Sequence, residues 1–127
     1  MKARLGVLGS CTPSKIFLAL LSALLPELAL ASYFCNGPVQ SVTVSPSGVV
    51  TLDAPEAGVH YGYLCTIGNE ENNVTSEACK SIFALLLTAK STGRLVQFGF
   101  DDTSSCAAHP SWAWVTGWYW GPMLFGD

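Results

Sequence analysis

Charge is what this sequence has least of. Only 12% of its 127 residues are charged, about half the share found in an ordinary soluble domain, while 50% are hydrophobic. That excludes a disordered chain, which needs many charges and few apolar groups to stay open. Positive charge is scarcest: six Lys plus Arg stand against nine Asp plus Glu, a net charge of −3. A nucleic-acid binder needs the opposite balance. Histidine occurs twice, as His60 and His109, about fifty residues apart, and no C-x-x-C pair is present. A zinc site therefore lacks its usual ligand spacing, and no metal or cofactor is expected. No Gly-x-Ser-x-Gly elbow occurs either, which leaves nucleophilic catalysis without a motif. Internal repeats, low-complexity tracts and linkers are missing too, so the chain reads as a single domain behind a targeting segment.

Long apolar runs are absent except at the start. Lys2, Arg4 and Lys15 precede an almost wholly apolar stretch from Ile16 to Ala31, which ends in Ala29-Leu30-Ala31. This is the basic, apolar, small-x-small order of a secretory signal peptide, with cleavage expected after Ala31. A membrane anchor is the competing reading. However, the run is interrupted by Pro26-Glu27 and falls short of the roughly 20 residues a spanning helix needs. Lipidation is disfavoured at Cys35, which follows a bulky aromatic, and at Cys11, whose preceding apolar stretch is too short for export. The expected product is residues 32–127, secreted or periplasmic, with no membrane insertion after signal cleavage.

Removal of Cys11 leaves Cys35, Cys65, Cys79 and Cys106. An even count in a small exported chain reads as two disulfides. Three pairings are possible; Cys65 with Cys79 and Cys35 with Cys106 is favoured. The first closes a short loop between a strand and the following helix, and the second ties the new N-terminus to a late loop.

Val39–Val44 and Val49–Leu52, separated by Ser45-Pro46-Ser47-Gly48, read as a hairpin. Val59 to Ile67 reads as a third strand with Val59, Tyr61, Tyr63, Cys65 and Ile67 on one face. Thr75 or Ser76 caps a helix whose first turn carries Glu77 and whose stop is Gly93. Arg94 to Phe100 returns to period two, Asp101 to Pro110 forms a polar loop, and Ser111 to Trp120 reads as the last strand. The fold class is α+β, mainly β, in the order β-β-β-α-β-β. Asp101-Asp102 reads as a pair of solvated loop residues, with a weak calcium contact the lesser alternative, and His60 as a packed or surface histidine. Asn73-Val74-Thr75 is a glycosylation sequon that matters only in a eukaryotic secretory route.

At 100° per residue the apolar side chains of this helix, Ile82, Phe83, Leu86 and Leu87 among them, cover roughly 200°, whereas packing on one sheet needs about 100°. Long loops of the same chain or a neighbouring subunit must cover the rest. The second reading makes Ile82, Phe83, Leu86 and Leu87 an oligomer interface. On an unbroken last strand Trp112, Trp114, Trp118 and Trp120 share one face, although Gly117 marks a place where a bulge would switch it. An exposed row of indoles suits stacking on sugar C–H faces; the alternative is that the indoles are core or interface.

The sequence resembles the binding subunits of pentameric bacterial toxins, most nearly the subtilase-cytotoxin and pertussis-like group. The resemblance is carried by Tyr33-Phe34-Cys35, by Cys65 across a loop from Ala78-Cys79, and by Ala89-Lys90-Ser91-Thr92-Gly93 followed by a strand with Val96. It is clearest over residues 59–100. The element order matches the five-stranded OB-fold barrel, with its helix between strands three and four. The resemblance implies a homopentamer with helices lining a pore, glycan sites on the barrel and a separate catalytic subunit to deliver. None of the family's sugar-contacting residues can be placed on this chain, and the tryptophan-rich last strand departs from the family pattern.

The expectation is therefore an exported, non-catalytic, homo-oligomeric module that binds carbohydrate through Trp112, Trp114, Trp118 and Trp120. The runner-up is an envelope structural or interaction protein, or an inhibitor of a secreted hydrolase, whose partner is a protein and not a glycan. Cleavage of the signal leaves three basic and eight acidic residues. The scarcity of charge thus belongs to the mature domain, whose surface is built from small polar residues or hidden against another subunit.

Overall fold

The computed structural model is strand-paired from Tyr33 onward. It covers residues 32–126 and, ahead of them, only Gly6 and Gly9; the expected signal peptide lies outside the described residues. The elements are β1 (Tyr33–Pro38), β2 (Ser41–Val44), β3 (Val49–Ala54), a single 3-10 turn (Pro55–Ala57), β4 (Val59–Thr66), α1 (Ser76–Thr92), β5 (Leu95–Phe100) and β6 (Trp118–Phe125). They form two three-stranded antiparallel sheets, β1-β5-β6 and β2-β3-β4.

Three expectations need correction. Tyr33–Pro38 is a strand, so the described residues hold six strands and not five. The last strand runs from Trp118 to Phe125 and not from Ser111 to Trp120. The two sheets do not close into a barrel. An isolated parallel bridge between Tyr63 and Trp114 lays the segment ahead of β6 along β4. There Tyr63 N–H donates to the Ala113 carbonyl at 2.9 Å and Val115 N–H to the Tyr63 carbonyl at 2.9 Å.

Local chemistry explains the elements that were foreseen. In the β2–β3 turn the Ser45 carbonyl accepts from Gly48 N–H at 2.8 Å, and its Oγ accepts from Val49 N–H at 3.1 Å. Thr75 caps α1, its hydroxyl accepting from Ala78 N–H at 3.2 Å, and Gly93 ends the helix in the left-handed region at φ 71°. Helix α1 packs against β2 and β4 of one sheet and against β5 and β6 of the other. This double contact is why its apolar arc exceeds the stripe that one sheet demands. Phe98, Phe100, Leu52, Leu64 and Leu86 are fully buried between the layers.

The expected face of β4 is also corrected. Tyr61 sits at φ 46°, and the pairing with β3 shifts register twice, between Val50 and Thr51 and between Leu52 and Ala54. Each bulge reverses the alternation. Val59, Leu64 and Cys65 therefore all point inward, while Tyr61 and Tyr63 are left half-exposed. Disulfides join Cys35 to Cys106 and Cys65 to Cys79. Such bridges belong to an oxidising compartment. Among the described residues no helix is long and apolar enough to cross a membrane.

Candidate functional site

The four tryptophans do not form one row. Trp118 lies inward, its ring edge-on to buried Phe98 at 5.6 Å between centroids, and Trp114 meets Tyr63 edge-on at 5.8 Å. Trp120 faces out, 54% exposed. The cause is a register shift: Phe100 pairs with Trp118 but Gly99 with Trp120, so Tyr119 is the extra residue of a bulge that puts the two indoles on opposite faces. Trp112 precedes the strand and belongs to neither face.

Trp112 instead builds a platform on β4. Its indole lies parallel to the ring of Tyr61, 4.6 Å between centroids and 4° between planes, yet the residue is 62% exposed. One face is covered by Tyr61 and the other opens to solvent. The contact is set by the backbone, because Trp112 N–H donates to the Tyr61 carbonyl at 3.0 Å. Gly62 permits this approach: a Cβ there would stand 2.4 Å from Val115 Cγ2. Both platform residues adopt left-handed backbone, φ 46° for Tyr61 and φ 56° for Trp112. Bulky side chains in that region cost of order 1–3 kcal/mol each, and such strain clusters at functional surfaces.

His60 adjoins the platform, its ring 4.9 Å from that of Tyr61. Its Nδ1 is 3.0 Å from the carboxylate of buried Asp53. Asp53 holds the ring in one orientation, and among the described residues Nε2 has no protein partner. An open cleft of about 470 Å³ lies alongside, lined by Pro55, Glu56, His60 and Ser111 among others. A flat aromatic face beside an oriented ring nitrogen offers stacking and one hydrogen bond to the same ligand.

A second cluster holds the loop that carries the platform. Tyr33 donates to one carboxylate oxygen of Asp102, and His109 Nε2 lies 3.0 Å from the other. His109 Nδ1 lies 2.9 Å from the Gly58 carbonyl, and the imidazole stacks on Phe100 at 4.3 Å. The Gly58 carbonyl and the Asp102 carboxylate are both acceptors, so each ring nitrogen of His109 faces one. Burial alone would raise the Asp102 carboxyl, but hydrogen bonds from Tyr33, His109 and the Ser104 N–H outweigh it and hold it below its ordinary value. Burial, together with the bond to Asp102 and its negative charge, pushes the Tyr33 phenol up to about 12. With both ring nitrogens engaged and the side chain 8% exposed, His109 works as a tie.

This corrects one expectation. Asp102 is not a freely solvated loop residue, and the histidines, though far from one another in sequence, each have a carboxylate. Each histidine lies seven residues after its carboxylate, a spacing that belongs to no standard catalytic or metal motif. Tyr61 was read only as a strand residue sharing a face with Tyr63 and Cys65, and its stack with Trp112 reveals it. On α1, Leu86 is fully buried within the chain and offers nothing to a partner; Ile82 and Phe83 are half-buried, and Leu87 is 44% exposed. Among the described residues no three His, Cys, Asp or Glu side chains converge to hold a metal. Comparison of the chain with protein-family models, with curated proteins and with solved structures finds no match.

Proposed function

We propose that this is an exported, non-catalytic module that binds carbohydrate, with Trp112 stacked on Tyr61 as the platform and His60 as the hydrogen-bonding group beside it. The observation that carries the reading is the open indole face, held in strained backbone against a second aromatic ring. A pyranose presents apolar C–H groups to such a face and hydroxyls to its rim, where His60 stands. The platform thus moves from the tryptophan row to a single indole: Trp114 and Trp118 are committed to Tyr63 and Phe98 and are withdrawn as ligand contacts. Oligomerisation belongs to the same proposal, through the α1 flank that carries Phe83 and Leu87. The OB-like arrangement does so too, supported by the parallel bridge that brings the segment ahead of β6 against β4. A toxin-like binding subunit, with a separate catalytic partner, is the form of this reading that the sequence resemblance favours.

The test is saccharide binding by the oxidised, exported protein, followed through its tryptophan fluorescence. Ligand is expected to quench emission, and Trp112→Ala to remove binding at this platform while leaving the far-ultraviolet circular dichroism unchanged. An array of diverse glycans that retains no protein would refute the proposal.

A further inference from the structure

The outward face of the β1-β5-β6 sheet carries a second pattern. Three rows cross it in register: Phe34, Gly99 and Trp120; Asn36, Gln97 and Met123; Pro38, Leu95 and Phe125. Phe34 is 52% exposed, Trp120 54%, Met123 37% and Phe125 40%. An exposed apolar face of this kind marks a contact surface, and its middle row shows what kind. Gln97 Nε2–H donates to Asn36 Oδ1 at 2.8 Å. That bond uses one donor and one acceptor of the pair, leaving Asn36 with its amide donors and Gln97 with its carbonyl acceptor for a ligand. No charged side chain lies in the three rows.

Gly99 shapes the upper station. A Cβ there would stand 2.9 Å from Phe34 Cε1 and 3.0 Å from Trp120 Cβ, so the Phe34 ring lies over the bare backbone of the central strand. The first and third rows are four residues apart on β5, about 14 Å. An apolar station at each end and an amide pair between them match a linear saccharide of more than one ring, whose C–H faces stack while hydroxyls meet the amides.

We infer that this face is a second saccharide site, formed by Phe34, Trp120, Asn36, Gln97 and Phe125, which makes each chain bivalent. The inference rests on the reading of the protein as a carbohydrate binder and adds a surface that shares no residue with the Trp112 platform.

The experiment is a titration of the ¹⁵N-labelled, oxidised, exported protein with lactose, cellotriose and chitotriose, read by nuclear magnetic resonance. At least one sugar is expected to shift the side-chain amides of Asn36 and Gln97 together with the Trp120 indole N–H. Gln97→Ala should weaken that site about tenfold, as the loss of one well-made hydrogen bond does, and Phe34→Ala should weaken it further. Neither should alter shifts at Trp112, and Trp112→Ala should leave the second site intact. Shifts confined to Tyr61 and Trp112 would overturn this inference and leave the first platform standing; shifts confined to the three rows would do the reverse. The absence of any shift on the three rows would overturn it. So would concentration-dependent broadening of Trp120 with a doubled native mass, which would give the face to a second copy of the chain.

Discussion

Tyr33, Asp102 and His109 come from β1 and the 101–110 loop and share one hydrogen-bonded cluster. The Tyr33 phenol ionises at about 12 in the folded chain and near 10 when unfolded. The neutral phenol is the form that folding favours, so its contribution is complete below pH 10 and lost as pH rises towards 12. The expected outcome is a late step in the phenolate absorbance near pH 12 that Tyr33→Phe removes. Asp102 has the opposite sign. Its folded carboxyl titrates below the ordinary value, so its contribution is present above about pH 4 and is lost as pH falls through the lowered folded value. Asp102→Asn sets amide donors among the N–H and O–H donors of His109 and Tyr33. It should cost about 2 kcal/mol at neutral pH, the scale of a charged hydrogen bond, and flatten the acid limb of the stability profile measured by urea unfolding.

At the scale of elements, Gly62 is the test of how the platform is assembled. Residues 112–115 lie along β4 only because nothing projects from that glycine towards Val115. Gly62→Ala should push the segment away at a cost of about 1–3 kcal/mol, the usual range for overpacking. Near-ultraviolet circular dichroism should lose the signal of the Tyr61–Trp112 stack while the far-ultraviolet spectrum persists. The elements that were legible in the sequence are those whose signals are local. Thr75 and Gly93 bracket α1, and Ser45 to Gly48 turn the hairpin, because cap and turn chemistry acts within a few residues. Strand β1 was not legible, since Asn36-Gly37-Pro38 consists of residues that strands disfavour and becomes a strand only by pairing with β5, some sixty residues away. The face of the last strand was misread for the same reason. Period two predicts that Trp118 and Trp120 point together, but the bulge at Tyr119 is set by pairing with Gly99 and Phe100. His109 and Asp102 meet through tertiary packing on Phe100, which no motif encodes.

At the scale of the molecule, two constraints act on the same loop and the same surface. The Cys35–Cys106 bridge spans 71 residues and Cys65–Cys79 spans 14. Loop-closure entropy makes the first worth about 4 kcal/mol and the second about 3 kcal/mol. The longer bridge ties the 101–110 loop to β1, so the Cys35→Ser, Cys106→Ser double variant should become protease-sensitive between Asp101 and Ser111 before the rest of the chain opens, as peptide mapping would show. The surface constraint is the scarcity of charge. Only Glu77, Lys80 and Lys90 are charged on α1, and its outer flank presents exposed Leu87 beside half-buried Phe83. A chain with eleven charged residues after Ala31 has little like-charge repulsion to hold copies apart, and a C–H-lined helix flank gains by being covered. The native mass of the oxidised protein should therefore be a multiple of the chain mass, and Leu87→Asp should return it to a monomer without loss of helix. A monomer across the concentration range accessible to native mass spectrometry would remove the assembly and with it the analogy to toxin subunits. The Trp112 platform would then have to work without a copy of itself on a neighbouring chain to supply avidity.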